Sequence, residues 1–272
     1  MPITNYPRFD FGRGGAAGES TFSPGNVRIA IWGQSNAIGR ALQTDLSASP
    51  LSSDSELAAY MDGTIPLSRV FIWTGSAYVQ LTAANNGADP GQFGAEFGLA
   101  VRWMRETTSG NLYFEKFASS GISITSNYFQ PGVWPYTTGV GYRTSGDAWL
   151  ASNGITINAD VWVWNQGEAD NAMAEATYRG YLDALMTGLA TDGVRPTGSH
   201  DVLVQIPTGT AQYGAGPAAA KVARAASDPT RTYLLQAPSY MKADNLHYNG
   251  RGQVQLGYDI FETVFGRSHI ST

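Results

Sequence analysis

Short apolar runs alternate with amphipathic segments along most of this 272-residue chain. Five of the runs are rich in β-branched or aromatic residues, as strands that are buried on both faces usually are. These predicted strands are residues 27–32, ending at Gly33, and residues 112–118, 161–164, 202–206 and 233–236. Helical periodicity falls between them, at residues 95–106, 174–189, 218–226 and 252–265.

Strand and helix therefore alternate about five times, which predicts a parallel sheet with helices on both faces. The fold expected is α/β and doubly wound, with a flavodoxin-like, five-stranded sheet. Residues 70–73 and 77–81 read as a small hairpin inserted in the first crossover. Residues 1–25 are expected to form a polar arm, and residues 26–272 a single catalytic domain.

Residues 119–152 form the longest stretch without periodicity, and they carry aromatic side chains among glycine, serine and threonine. A long loop inside a compact domain is usually functional or mobile. Packing of the aromatic rings onto the sheet explains the same composition. Both interpretations remain open from the sequence.

Composition limits the partners. Charged residues make up 14% of the chain and the net charge is -5. No basic stretch is long enough to bind along a phosphate backbone, so we expect no nucleic-acid partner. No apolar run reaches the ~20 residues of a membrane helix, so we expect no membrane partner.

Without a signal-peptide pattern, the expected location is cytoplasmic, virion-associated, or secreted after signal removal. Cysteine is absent, which excludes a cysteine nucleophile; the oligomeric state is undefined.

A serine follows the first predicted strand, in the segment Gly33-Gln34-Ser35-Asn36. Ligands of open parallel sheets bind beyond the carboxyl ends of the strands, so this hydroxyl is expected at the functional edge. A capping role for Ser35 or Asn36 at the next helix explains the same residues. The serine alone leaves both interpretations open.

Asp244 and His247 lie three residues apart, between the last predicted strand and the last helix. A serine hydroxyl needs a base to take its proton, and the base works best when a carboxylate orients it. Of the other histidines, His200 is expected at the opposite end of the sheet and His269 in the C-terminal tail. Ser35, Asp244 and His247 together therefore predict nucleophilic catalysis.

Two segments offer donors for the oxyanion of a tetrahedral intermediate. Residues 91–96 open a predicted helix, where backbone N–H groups are free. Residues 164–170 place the amides of Asn165 and Gln166 at the end of the third strand. A strand-to-helix turn capped by Asp170 also explains the second segment, and the two interpretations are compatible.

Three motifs resemble the SGNH hydrolases: Gly-Gln-Ser-Asn, Trp-Asn-Gln-Gly-Glu-Ala-Asp and Asp-x-x-His, in that order along residues 27–265. More narrowly, they are similar to the sialate O-acetylesterase-like and carbohydrate acetylesterase branch. The Gly-Asp-Ser-Leu and Gly-x-Asn-Asp motifs common in the superfamily are replaced here, which leaves the amide donor open. The α/β-hydrolases share the order Ser, Asp, His, but their Gly-x-Ser-x-Gly elbow is absent because residue 37 is Ala37.

The resemblance implies that Ser35 is the nucleophile, His247 the general base and Asp244 its orienting partner. The residues expected to support this triad are Gln34, Asn36 and Glu168. No metal or organic cofactor is implied.

The resemblance also implies an oxyanion hole built from the backbone N–H groups of Ser35 and Gly94 and from a side-chain amide. Gln166 is the first choice for that amide and Asn165 the second.

The expected function is removal of O-acetyl groups, from an acetylated carbohydrate or from a small acetyl ester. Trp134 and Tyr136, in the aromatic segment, are the expected sugar contacts. The alternative is a non-catalytic carbohydrate-binding or virion- or cell-surface-attached module on the same fold.

Overall fold

The computed structural model describes residues 24–47, 55–125 and 127–266. The expected N-terminal arm lies almost entirely outside these ranges, and so does His269. The strands are β1 Val27–Gly33, β2 Ala41–Leu42, β3 Val70–Trp73, β4 Tyr78–Gln80, β5 Gln92–Phe93, β6 Leu112–Ala118, β7 Ala159–Asn165, β8 His200–Gln205 and β9 Thr232–Gln236. The helices are α1 Ser35–Ile38, α2 Ser55–Met61, α3 Ala95–Glu106, α4 Tyr136–Ser152, α5 Glu175–Thr191, α6 Ala215–Ser227 and α7 Gly250–Phe265.

The main sheet has the strand order β4-β3-β6-β1-β7-β8-β9, and every neighbouring pair except β3 and β4 is parallel. The five strands predicted from the sequence lie side by side in it, as second-first-third-fourth-fifth. This is the flavodoxin-like order, so the predicted fold class is confirmed.

The predicted count of five strands is wrong, because the sheet has seven. The two additional strands are β3 and β4, the segments expected to form an inserted hairpin. β3 pairs in parallel with β6, in the register Val70 to Leu112. The predicted hairpin is present, since β3 and β4 pair antiparallel. Its pairing with β6 was not predicted, because contacts between strands distant in the chain do not affect the local sequence pattern.

The prediction of a loop over residues 119–152 is wrong for its second half, because residues 136–152 form helix α4. Its glycines allow close packing: a Cβ on Gly139 would lie 2.3 Å from the Trp32 ring, and one on Gly146 would lie 2.9 Å from the Glu115 carboxylate. Arg143 fixes α4 to the sheet through ion pairs with Glu115 on β6 and Asp160 on β7. Tertiary contacts therefore stabilise a helix that periodicity does not indicate.

Helices α3 and α7 pack together on one face of the sheet, and α5 and α6 pack together on the other, next to α4. The parallel register aligns Gly33 with Ala118 and Asn165, so the carboxyl ends of β1, β6 and β7 meet at one edge. Within the described ranges, no helix is long and apolar enough to cross a membrane.

Candidate active site

The nucleophile turn begins where β1 ends. Gly33 has a φ of 147°, and a Cβ there would lie 1.9 Å from the carbonyl oxygen of Asn165 on the neighbouring strand. Only glycine allows this approach. The chain then turns directly into α1, which begins at Ser35.

The structure brings the three predicted catalytic residues together. Ser35 Oγ lies 3.0 Å from His247 Nε2, and His247 Nδ1 lies 2.8 Å from Asp244 Oδ2. The capping interpretation of Ser35 and Asn36 does not apply to α1, whose N-cap residue is Gln34 and has no side-chain capping bond. The arrangement has the hydrogen-bond pattern of a nucleophile, a base and an orienting carboxylate.

The Asp244 carboxylate also organises the turn that carries His247. Its Oδ1 accepts the backbone N–H groups of Leu246 and His247, each at 2.9 Å. Asn245 completes the turn with a φ of 53°, a conformation that asparagine tolerates. Burial acts to raise the pKa of Asp244, but the hydrogen bonds from His247 and Leu246 lower it to about 2. The carboxylate is therefore ionised at neutral pH.

The side chain of Asn36 also binds the turn that carries His247. Its Nδ2 donates to the Leu246 carbonyl at 3.1 Å and to Glu168 Oε1 at 2.8 Å, and its Oδ1 accepts the Tyr248 N–H at 3.1 Å. The two neighbours of His247 are thereby tied to the residue that follows the nucleophile. We refer to this set of bonds as the Asn36 clamp.

Glu168 supports the Asn36 clamp from within the protein. It is 3% exposed, and burial raises its pKa, opposed by the hydrogen bond from Asn36 and by the positive charge of Lys221. Its Oε2 has no hydrogen-bond partner among the described residues. Gln34 steadies the same segment, because its Oε1 accepts the N–H groups of Gly167 and Ala169, each at 3.4 Å.

The two candidate amides point to different faces of the sheet. Trp164 packs in the cluster with α5, whereas Val163 packs in the cluster with α3 and α7. Because side chains alternate along a strand, Asn165 lies on the α3 and α7 face and Gln166 continues on the opposite face. Asn165 thus shares its face with the helix that follows His247.

The Gln166 side chain is fully engaged elsewhere. Its Nε2 donates to the Ile122 carbonyl at 3.2 Å and to the Asp170 carboxylate, and its Oε1 accepts the Tyr178 hydroxyl at 2.8 Å. Asn165 is also buried, and among the described residues no group accepts a hydrogen bond from its Nδ2 or donates one to its Oδ1. Of the two amides, only Asn165 therefore keeps an uncommitted N–H donor, which is what an oxyanion requires.

The Gly94 N–H donates to Glu96 Oε1 at 2.8 Å, and Glu96 Oε2 pairs with the buried Lys116 at 2.8 Å. Lys116 Nζ also donates to the Ile38 carbonyl at 2.6 Å, which links this ion pair to α1. Gly94 contacts the nucleophile segment closely, since a Cβ on Gly39 would lie 2.5 Å from Gly94 Cα. The peptide is therefore beside the site, with its N–H already engaged.

The two expected sugar contacts differ in accessibility. Trp134 is 55% exposed, whereas Tyr136 is 2% exposed and donates its hydroxyl to Asp192. Tyr136 therefore belongs to the core that holds α4. No group of three or more His, Asp or Glu side chains in the described ranges is arranged to hold a metal ion.

A family described as "Carbohydrate esterase, sialic acid-specific acetylesterase" matches residues 26–265. The chain belongs to this family of carbohydrate esterases. The expected branch of the SGNH hydrolases is thereby confirmed, and the protein is an enzyme of the acetylesterase class. No curated protein sequence matches the esterase significantly.

Solved structures share the fold of the esterase at low sequence identity. An Arabidopsis thaliana protein solved at 1.6 Å is 21% identical with a TM-score of 0.65, over 90% of this chain and 99% of that one. NanS is 11% identical with a TM-score of 0.58, over 90% and 98%. A carbohydrate acetylesterase from Xanthomonas citri is 15% identical with a TM-score of 0.52, over 90% of this chain and 58% of that one.

Proposed function

We propose that this esterase removes O-acetyl groups from a carbohydrate through an acetyl-serine intermediate on Ser35. The observation that carries the proposal is the hydrogen-bonded chain from Ser35 through His247 to Asp244. A protein that only bound sugars would have no need of a base within reach of a serine hydroxyl.

In the first half of the reaction, Ser35 Oγ attacks the acetyl carbonyl while His247 Nε2 takes the hydroxyl proton. The ester C–O bond then breaks, and His247 returns the proton to the departing sugar oxygen. In the second half, His247 takes a proton from water as the water attacks the acetyl carbonyl. The bond between the acetyl carbon and Ser35 Oγ then breaks, acetate leaves, and His247 returns the proton to Ser35 Oγ. Asp244 stays ionised throughout and stabilises the imidazolium that forms twice per cycle.

The negative oxygen of each tetrahedral intermediate needs donors that are already in place. We assign the Ser35 N–H, which lies in the first turn of α1 and has no helical acceptor, and the side-chain amide of Asn165. The Gly94 peptide, whose N–H donates to Glu96, forms the adjacent wall.

The proposed substrate is an acetylated carbohydrate, in keeping with the family description and with the low charge of the chain. Exposed aromatic rings are common sugar platforms, so we retain Trp134 as a proposed sugar contact. Tyr136 is left out of the proposed site because its ring is buried.

The proposed function is tested by acetate release. Wild-type protein should liberate acetate from O-acetylated sugars and from p-nitrophenyl acetate with saturation kinetics. The binding-module alternative predicts sugar binding by calorimetry with no acetate released above the buffer blank. That second result would sink the esterase proposal.

We expect Asn165→Ala to lower kcat by roughly 10²-fold to 10³-fold, as loss of one oxyanion donor does. Gln166→Ala should act mainly on stability, because it removes the partner of Asp170 and Tyr178. The measurement is kcat for p-nitrophenyl acetate together with Tm for both variants. A large kcat loss in Gln166→Ala, at unchanged Tm, with Asn165→Ala unaffected, would reverse the assignment.

A further inference from the structure

Lys221 is a fully buried lysine for which the mechanism above has no use. It lies on α6 with 0% exposure, and its Nζ donates to the Val204 carbonyl at 2.7 Å and to the Gln166 carbonyl. Gln166 directly follows β7, and Val204 is the residue before the last of strand β8. The ammonium therefore joins the catalytic ends of two neighbouring strands.

The position of this charge connects it with the triad. The charged groups that act on Lys221 are Glu168 and Asp170, both on the segment between β7 and α5. Asp170 is already engaged by Ser123, Ile124 and Gln166. Glu168 instead accepts a hydrogen bond from Asn36 and leaves its Oε2 without a partner among the described residues.

A buried carboxylate needs a compensating charge to stay ionised. An ionised Glu168 binds Asn36 more strongly than a neutral one, since hydrogen bonds to charged acceptors are roughly twice as strong as neutral ones. The Asn36 clamp in turn holds the backbone on both sides of His247. Hydrogen bonds thus lead from Glu168 through Asn36 to the backbone on both sides of the general base, and Lys221 acts on Glu168 through its charge.

We propose that Lys221 is a positioning residue of the esterase site: its buried ammonium keeps Glu168 ionised and thereby keeps the Asn36 clamp closed on the His247 turn. The inference rests on the proposed function, because it assigns a cause for the placement of the general base. Lys221 touches no reacting atom itself.

The charge on Lys221 is sensitive to mild alkali. Burial lowers its pKa to about 8, opposed by Glu168 and Asp170. Wild-type kcat should therefore fall above about pH 8, as the ammonium loses its proton and Glu168 loses its counter-charge. Neutral Lys221 still has two N–H bonds for its two carbonyl acceptors, so the change tested is electrostatic.

The test is kcat for p-nitrophenyl acetate from pH 6 to 9.5 in Lys221→Met, Glu168→Gln and the double variant, with Ser35→Ala protein as the blank. Lys221→Met should lose about 10-fold to 100-fold at pH 7, the scale that small misplacements of a catalytic group cause. Its profile should then stay level above pH 8. Adding Lys221→Met to Glu168→Gln should cost no further activity.

Multiplicative losses in the double variant, or an alkaline fall that persists in Lys221→Met, would overturn the proposal. Should Lys221→Met not fold, Lys221→Gln replaces it. Should neither Lys221 variant fold, Glu168→Gln decides, because the fall of its kcat above pH 8 must also vanish. Arg195→Met serves as the stability control, because it breaks a buried pair with Asp201 near the start of β8. It should lower Tm while the pH profile keeps its shape.

These outcomes are separate from the fate of the esterase proposal itself. Active wild type with inactive Ser35→Ala upholds the esterase whatever Lys221→Met does. An inactive wild type would reject the esterase proposal itself, whatever the Lys221 variants show.

Discussion

Replacing Ser35 by alanine should lower kcat for acetyl ester hydrolysis by roughly 10⁴-fold to 10⁶-fold, the range seen when the nucleophile of a serine triad is removed. The reason is the loss of the only Oγ within 3.0 Å of His247 Nε2 among the described residues. Without it the acetyl-enzyme cannot form. Steady-state acetate release gives the rate, and mass spectrometry after treatment with a fluorophosphonate gives the modified residue.

Ser120→Ala is the matched control for the nucleophile. Ser120 follows β6 at the same edge of the sheet, and its hydroxyl accepts a hydrogen bond from Arg40 at 2.6 Å rather than from a base. We expect Ser120→Ala to react with the fluorophosphonate and to turn over as the wild type does. A Ser35→Ala protein that retains a tenth of the wild-type rate would contradict the assignment of the nucleophile.

His247→Ala should lower kcat by a comparable factor, and Asp244→Asn by roughly 10⁴-fold, because an amide leaves the imidazole in the wrong tautomer. Wild-type kcat should fall in acid, since a protonated imidazole cannot accept the serine proton. The pKa of Asp244 is lowered to about 2, so Asp244 remains ionised from pH 5 to 8 and does not contribute to that fall. The acidic limb should therefore have the slope of a single titrating group.

His200→Gln is the control for the general base. His200 opens β8 at the opposite end of the sheet, and burial, reinforced by Arg231, lowers its pKa to about 4. It is therefore neutral over the assay range, and its replacement should leave the pH profile unchanged. A flat wild-type profile from pH 5 to 8 would exclude a histidine base at either position.

Much of the active site was predictable because its chemistry is local in the chain. Asp244 and His247 belong to one turn, so their spacing alone suggests contact, and Ser35 directly follows an apolar strand. Parallel strands place their carboxyl ends at the same edge, and this rule extends the local signals to a three-residue arrangement. The long-range contact between Ser35 and His247 follows from fold class plus position.

The amide donor was not predictable in the same way. Asn165 and Gln166 are adjacent, and both are chemically able to donate a hydrogen bond. Only the alternation of β7 between two different cores separates them, with Gln166 drawn into the contacts of Asp170 and Tyr178. The choice depends on which helices cover which face, and that information is spread over the whole chain.

By itself, the sequence determined the alternation of strands and helices, the order of the five central strands, the family and the three residues of the proposed triad, since each depends on short-range pattern or on a chain-order rule. The tertiary structure alone decided that β3 and β4 join the sheet, that residues 136–152 form a helix, and that the buried charge of Lys221 acts on Glu168. Lys221 belongs to an alanine-rich helix with no motif around it. Its proposed role comes from a buried charge that acts on a carboxylate 53 residues away in the chain, and the strength of that interaction depends on the low polarity of a core that only folding creates.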